Sequence, residues 1–447
     1  MKFKQFYLGC LAHASYYIGS DAEAVIIDPQ RDVQQYLDEA EANNQKIKYI
    51  IETHSHADFV SGHIELAEKS GAEIVYGAKA KTEFPTHKVK DGDELSVGKI
   101  NLKFLETPGH TPEGITILAE DTEDTSEPVK MFTGDTLFIG DVGRPDLVGS
   151  RGFTADEMGA MLYDSIHEKI LPLPDETEVY PAHGAGSLCG KSLSKETWST
   201  LGQQRKMNYA LQPMSKEEFI KIVAADQPEV PAYFPKSAAQ NLKGSASLED
   251  LPKPTKLSTG EIENFGAAHV PNAINIGLGG QFASWAGTLI TIGTAVAIVA
   301  ENQEQIDEAF MRLARVGIET VKGFILINDY TGATKKVEQI SVEQAKEATK
   351  DAGVQFVDVR RVAEHAAGHA PNTINLPLDV LAKEVGKLNP EKPTYVLCQS
   401  GYRSSLGTSI LENAGFKEIY NVTGGTKAWM DAGLDTEVSA TACANSQ

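Results

Sequence analysis

Cysteine is scarce in this chain. Its 447 residues hold four, at positions 10, 189, 398 and 443, too few and too dispersed to staple a small fold with disulfides. Positive charge is short as well: 41 Lys and Arg face 62 Asp and Glu, a formal net charge of -21 with a pI near 5.0. That balance argues against nucleic acid or an anionic membrane as partner and reads most simply as a solvated acidic surface. No apolar run reaches the roughly 18 residues of a membrane span. The nearest, 283–300, is interrupted by Ser, Gly and Thr and fits a helix turn followed by a strand. The first residues show neither an apolar signal core nor an Arg-rich amphipathic presequence, so a cytoplasmic protein is expected. The length suffices for about three domains, each with its own core.

Histidine is also sparse, 11 in all, yet two stand close together in Thr53-His54-Ser55-His56-Ala57-Asp58-Phe59. The preceding run Ile47 to Glu52 is rich in isoleucine and reads as a buried strand, which places these side chains where the strand opens into a loop. Three later segments repeat the design. The loop Thr107-Pro108-Gly109-His110-Thr111-Pro112 follows a strand over 102–105, Met131-Phe132-Thr133-Gly134 ends on Asp135, and Val179-Tyr180-Pro181-Ala182 ends on His183. One such group alone is a loop histidine or a turn aspartate. Four in order can converge on a metal ion.

The ordered set resembles the metallo-β-lactamase superfamily, over about residues 1–210 as judged from motif spacing. That resemblance implies a four-layer αββα sandwich with metal at one edge. Hydrolases of the superfamily usually hold two zinc ions; His56 binds metal directly in them, and the second ion leans on a histidine where this chain has Phe59. A phenyl ring offers no lone pair, so a hydrolytic two-metal clamp is disfavoured. The remaining pattern is similar to the persulfide dioxygenase branch, which implies one Fe(II) per chain held by His54, His110 and Asp135, with positions open for substrate and dioxygen. Gly143-Arg144-Pro145-Asp146 and the segment 162–170 extend the likeness. By the same resemblance His56, Asp58 and His183 are expected to orient ligands or meet substrate, and Arg144 and Cys189 are candidate substrate-binding groups. The tyrosine that mitochondrial-type enzymes carry shortly after the last histidine is absent from Gly184-Ala185-Gly186-Ser187-Leu188-Cys189-Gly190-Lys191-Ser192, so the thiol carrier is left open.

A second signature stands near the other end. A short strand, Lys392 to Leu397, runs into Cys398-Gln399-Ser400-Gly401-Tyr402-Arg403-Ser404, and a helix is expected from Ser405 to Asn413. A cysteine at that junction meets the helix dipole and a loop of N–H groups, a setting that favours the thiolate. With Phe356 to Arg360, Gly368 to Pro377 and Asn421 to Gly425, this resembles a rhodanese domain over about 340–437. The resemblance implies that Cys398 carries a persulfide and that Arg403 helps bind an anionic donor such as thiosulfate.

Between the two, His269 to Ile276 repeats His369 to Leu376 at an offset of 100 residues, which marks a tandem repeat. Cys398 lies 17 residues before Gly415, and the same step back from Gly317 reaches Ala300. Gln303 and Gln305 stand where Gly401 and Arg403 stand in the active copy. The expected order is a metallo-β-lactamase-like dioxygenase domain over 1–235, an inactive rhodanese-like domain over 240–335 that serves packing, orientation or self-association, an active rhodanese over 340–437, and a tail, 438–447. The stretch 212–256 is the expected interdomain linker, with a short helix over 215–225. The expected function is oxidation of glutathione or coenzyme A persulfide with O2 to sulfite, coupled to formation or use of thiosulfate. The alternatives are a zinc thioesterase of the glyoxalase II kind with an attached sulfurtransferase, and a non-enzymatic sulfur-relay scaffold.

Overall fold

A computed structural model describes residues 1–191, 193–225, 227, 229–257, 273–332 and 337–439. Residues 269–272 of the repeated element, Ser192, Cys443 and most of the tail lie outside them. The chain divides into two compact units, one of 1–252, 286–294 and 310–320, the other of 253–285, 295–309 and 321–447. The stretch 240–335 thus supplies segments to both.

In the first unit β1 (Lys2–Leu8), β2 (His13–Ser20), β3 (Glu23–Ile27), β4 (Lys46–Glu52), β5 (Glu73–Gly77) and β6 (His87–Val89) form one sheet in chain order. A second sheet has β7 (Glu94–Val97), β8 (Ile100–Glu106), β9 (Ile115–Asp121), β10 (Lys130–Gly134), β11 (Glu178–Pro181) and β12 (Ser199–Thr200) in the order β12-β11-β10-β9-β8-β7. Period-two alternation puts Ile100, Leu102 and Phe104 inward and Asn101 and Lys103 outward along β8. These residues meet Tyr16, Ile18, Val25, Ile27 and Ile51 of the first sheet in one core, so the two sheets pack face to face. The outer face of the first sheet is covered by helix Gln34–Ala42 through Tyr36 and Ala40, and by Leu66 of helix His63–Ser70. Helix Ala155–Asp164 covers the second sheet. The architecture is the αββα sandwich expected from the sequence.

The stretch 212–256 is not an open linker. It folds into helices Lys216–Ala224 and Phe234–Lys243. Ser215 and Glu218 form a reciprocal cap, and Phe219 and Val223, one turn apart, enter the core beneath the second sheet. Leu242 packs near Ile74 and Tyr76. A polar composition hides these narrow apolar faces.

The second unit contains two parallel sheets. One has β13 (Thr255–Lys256), β14 (Val296–Ala300) and β15 (Val321–Leu326) in the order β13-β15-β14. The other has β16 (Glu338–Ile340), β17 (Gln355–Asp358), β18 (Ile374–Asn375), β19 (Thr394–Leu397) and β20 (Ile419–Val422) in the order β16-β20-β19-β17-β18. Among the described residues no helix is long and apolar enough to cross a membrane.

Candidate functional site

Strand direction brings the candidate ligands together. β3 and β4 run parallel, as do β10 and β11, and β8 runs with β10 because β9 is antiparallel to both. The loops after β4, β8, β10 and β11 therefore open at one edge. The two sheets are tied there, since Ala14 N donates to Ala182 O at 2.7 Å and Gly184 N to Ala12 O at 2.9 Å.

His54, His110 and Asp135 offer donor atoms that all lie within 4.8 Å of one another. Asp135 Oδ2 is 3.3 Å from His110 Nε2 and 3.8 Å from His54 Nε2. Donors adjacent around an ion with bonds of about 2.1 Å would lie about 3 Å apart. His54 Nε2 and Asp135 Oδ2 are buried and have no hydrogen-bond partner, which is costly unless a cation satisfies them. The tautomers suit that role. Thr53 Oγ1 donates to Asp28 Oδ2 at 2.8 Å, so it accepts from His54 Nδ1 at 2.9 Å and leaves Nε2 as a lone-pair donor. His110 Nδ1 donates to Arg144 O at 3.0 Å with the same result. The His110 loop is further held by Ser165 Oγ, which donates to Pro108 O at 2.6 Å from the start of a π-helical turn, Ser165–Ile170.

Electrostatics agree with a ligand set. Burial lowers His54 well below its ordinary value, aided by the nearby His56, and burial also lowers His110, which favours the neutral ring in both. Burial alone would raise the Asp135 carboxyl, but His183, His54 and His110 hold it far below the usual carboxylate range. His183 sits between two carboxylates, Nδ1 at 2.7 Å from Asp135 Oδ1 and Nε2 at 2.8 Å from Asp58 Oδ2. Burial works against its protonation, and Asp135 and Asp58 overcome it, raising its pKa well above the ordinary value.

The other candidates fall around this trio. His56 turns Nε2 toward Asp28 Oδ1 at 3.1 Å. Phe59 is fully buried, its ring centroid 4.2 Å from that of His13 and 4.5 Å from that of His56. Cys189 groups with Asp135 and His183, and burial pushes its thiol well up. Arg144 is buried; its guanidinium forks onto Asp146 at 2.7 and 2.6 Å while its carbonyl takes His110.

Sequence reasoning passed over His13, Asp28, Glu52 and Asn241. His13 is buried with both ring nitrogens unpartnered. Asn241, in the stretch taken as linker, donates from Nδ2 to His56 O and Phe59 O, each at 2.8 Å, and accepts from Ser61 N at 2.8 Å. Asp28 follows β3 as Asp135 follows β10, the same strand-end signal that marked the others.

In the second unit Cys398 follows β19, and its Sγ accepts from Gly401 N at 3.1 Å and Ser404 Oγ at 3.4 Å. Gly401, at φ 102°, caps helix Tyr402–Asn413. Thr426 N donates to Cys398 O at 2.7 Å and Lys427 N to Gln399 O at 3.0 Å, bracing the loop from its other side. Arg403 forks onto Glu364 with two bonds of 2.7 Å, so its charge is already met within the fold. Arg360 pairs with Asp358 and reaches Gln399 Oε1 at 3.3 Å.

The metallo-beta-lactamase superfamily model matches residues 8–183, and the rhodanese-like domain model residues 341–432. The mitochondrial persulfide dioxygenase ETHE1 of Bos taurus is 33% identical over 207 residues, covering 45% of this chain and 71% of that protein. The human counterpart is 33% identical over 209 residues, with the same two coverages. A metallo-beta-lactamase structure from Staphylococcus aureus subsp. aureus COL is 33% identical with a TM-score of 0.66, covering 73% of this chain and 99% of that one. The chain belongs to the metallo-beta-lactamase superfamily. More particularly, it joins a metallo-β-lactamase domain, homologous to persulfide dioxygenases, to a C-terminal rhodanese-like domain.

Proposed function

We propose that this chain, acting in the cytoplasm, oxidises low-molecular-weight persulfides such as glutathione or coenzyme A persulfide with dioxygen to sulfite at one Fe(II) centre, and that its rhodanese domain moves sulfane sulfur between Cys398 and thiosulfate. The donor set carries the proposal: two neutral histidines and one carboxylate, with Phe59 where a second metal ion would need a ligand. The persulfide dioxygenase relatives favour the same chemistry.

The balance is RSSH + O2 + H2O giving RSH, sulfite and two protons. Fe(II), when bound, supplies Lewis acidity toward the terminal sulfur and a redox couple for dioxygen. His54, His110 and Asp135 hold it, with Thr53 and the Arg144 carbonyl fixing both rings. His183 stands between Asp135 and Asp58, and these two carboxylates favour its charged ring there. Cys189 lies beside Asp135 and His183. In the rhodanese step a persulfide on Cys398 reacts with sulfite: the S–S bond to Cys398 breaks, a bond to sulfite forms, and thiolate and thiosulfate result. Gly401 N and Ser404 Oγ receive the anionic sulfur.

The stretch 240–335 is read as an inactive rhodanese-like copy. The order β13-β15-β14 parallels β16-β20-β19, and β14 ends at Ala300 where β19 leads into Cys398. The helices that follow end alike: Gly317 and Gly415 both adopt positive φ, with Ile318 N donating to Leu313 O and Phe416 N to Leu411 O. Its described part packs on the active copy, where Tyr402 Oη donates to Gly277 O at 2.8 Å and Asn275 Nδ2 to Ser405 Oγ at 2.9 Å. That is a packing role.

Oxygen consumption with glutathione persulfide, comparing iron-loaded with zinc-loaded protein, tests the whole proposal. Uptake is expected with iron alone, and equal or absent uptake in both overturns it.

A further inference from the structure

Glu52 closes β4 immediately before the metal loop, and its carboxylate is wholly buried. Oε1 accepts from Ser61 Oγ at 2.5 Å and lies 3.2 Å from His63 Nδ1. Oε2 lies 3.6 Å from His56 Nε2. Asp28 faces that same nitrogen with Oδ1 at 3.1 Å, while accepting from Thr53 N at 2.7 Å. One edge of the His56 ring is therefore turned to two buried carboxylates. Neither contact has hydrogen-bond geometry, since His56 Nε2 and Glu52 Oε2 are both buried without a partner; what holds the ring is its closeness to these polar groups in a dry interior, where such attractions are strengthened.

The grouping of donor atoms shows the result. His54, His110 and Asp135 converge within 4.8 Å, whereas His56 converges with Asp28 and Glu52 on one side and with Asp58 and His183 on the other. Yet its ring centroid is only 4.1 Å from that of His54. A modest rotation would let it compete for the same ion. Its main chain is held as well, since His56 O accepts from Asn241 Nδ2.

We propose that Glu52, together with Asp28, is a positioning residue that tethers His56 outside the coordination sphere and so limits the centre to three protein ligands. The inference rests on the single-metal function proposed above. A fourth protein ligand would fill a position that persulfide and dioxygen need. Asp28 also supports Thr53 and, through it, His54, so only at Glu52 can the tether be cut without disturbing a ligand.

The test uses the full-length chain loaded with Co(II). Each ligating imidazole then contributes one hyperfine-shifted, solvent-exchangeable N–H resonance in the proton NMR spectrum. The wild type is expected to show two, from His54 and His110. Glu52→Gln is expected to show a third, which disappears in the double variant Glu52→Gln/His56→Ala, and to keep its metal against a chelator. An ordinary supporting residue behaves oppositely: its loss weakens metal binding by about 10–100-fold and adds no ligand. Three resonances in the wild type, or two in Glu52→Gln, would overturn the proposal. So would a second Co(II) per wild-type chain that Glu52→Gln loses, because Asp28, Glu52 and His56 would then be holding an ion themselves. A wild-type count of three overturns the proposal even if Glu52→Gln does not fold. Neither iron, persulfide nor dioxygen enters the measurement, so failure of the dioxygenase function and failure of the tether are told apart.

Discussion

A histidine at position 59 would add a further donor beside the buried group of Asp58, His183 and His56. Phe59→His is therefore expected to raise bound zinc from one toward two ions per chain, read by metal analysis after dialysis. Glu364 offers a pH signature. Burial alone would raise its carboxyl, but the hydrogen bonds from Arg403 prevail and lower it. The unfolded chain then binds more protons than the folded one just below the ordinary carboxylate pKa, so the Glu364 contribution is present at neutral pH and lost as pH falls. The urea midpoint of the wild type should drop between neutral pH and about 4, and Glu364→Gln should flatten that dependence. The candidate ligands His54, His110 and Asp135 were legible because each sits at a strand end in a turn-rich loop. Glu52 and His13 were not: Glu52 is the last residue of β4 and His13 the first of β2, each counted as part of its strand, and only the neighbouring strands and loops show what surrounds it. Arg403 shows the converse limit, since its partner Glu364 lies 39 positions earlier in the chain.

Helix Phe234–Lys243 does the work of a latch on the metal loop, through Asn241. Asn241→Ala leaves His56 O, Phe59 O and Ser61 N without their partner in a buried setting, at about 1–3 kcal/mol per unsatisfied group before relaxation. A loss of about 3 kcal/mol is expected in denaturant unfolding, with faster amide exchange at Ser61. Four strands that lead into the site, β4, β8, β10 and β11, could be anticipated from apolar runs that end in turn-rich loops. This helix could not be, because the residue that binds the loop, Asn241, is itself polar and sits in a stretch whose many Pro, Ser, Lys and Glu residues suggest a linker. Helix Lys216–Ala224 matches the short helix expected over 215–225.

Two chemistries on one chain should separate cleanly by mutation. Cys398→Ser is expected to keep iron-dependent oxygen uptake with glutathione persulfide and to lose thiosulfate formation, followed by chromatography of the sulfur products. The linear order of motifs was legible: a metal-binding sandwich first and a cysteine loop last. Compactness was not, because helix Gln303–Arg315 begins in one unit and ends in the other. Motif limits report ancestry, whereas compact units follow burial. The burial of His54, His110 and Asp135, each at most 4% exposed, has one more consequence. An ion held by side chains so buried exchanges slowly once the chain has folded. Zinc outranks ferrous ion at equilibrium for most nitrogen and oxygen sites; slow exchange delays that ranking, and the bound metal then reflects in part what the cell supplied at the moment of folding.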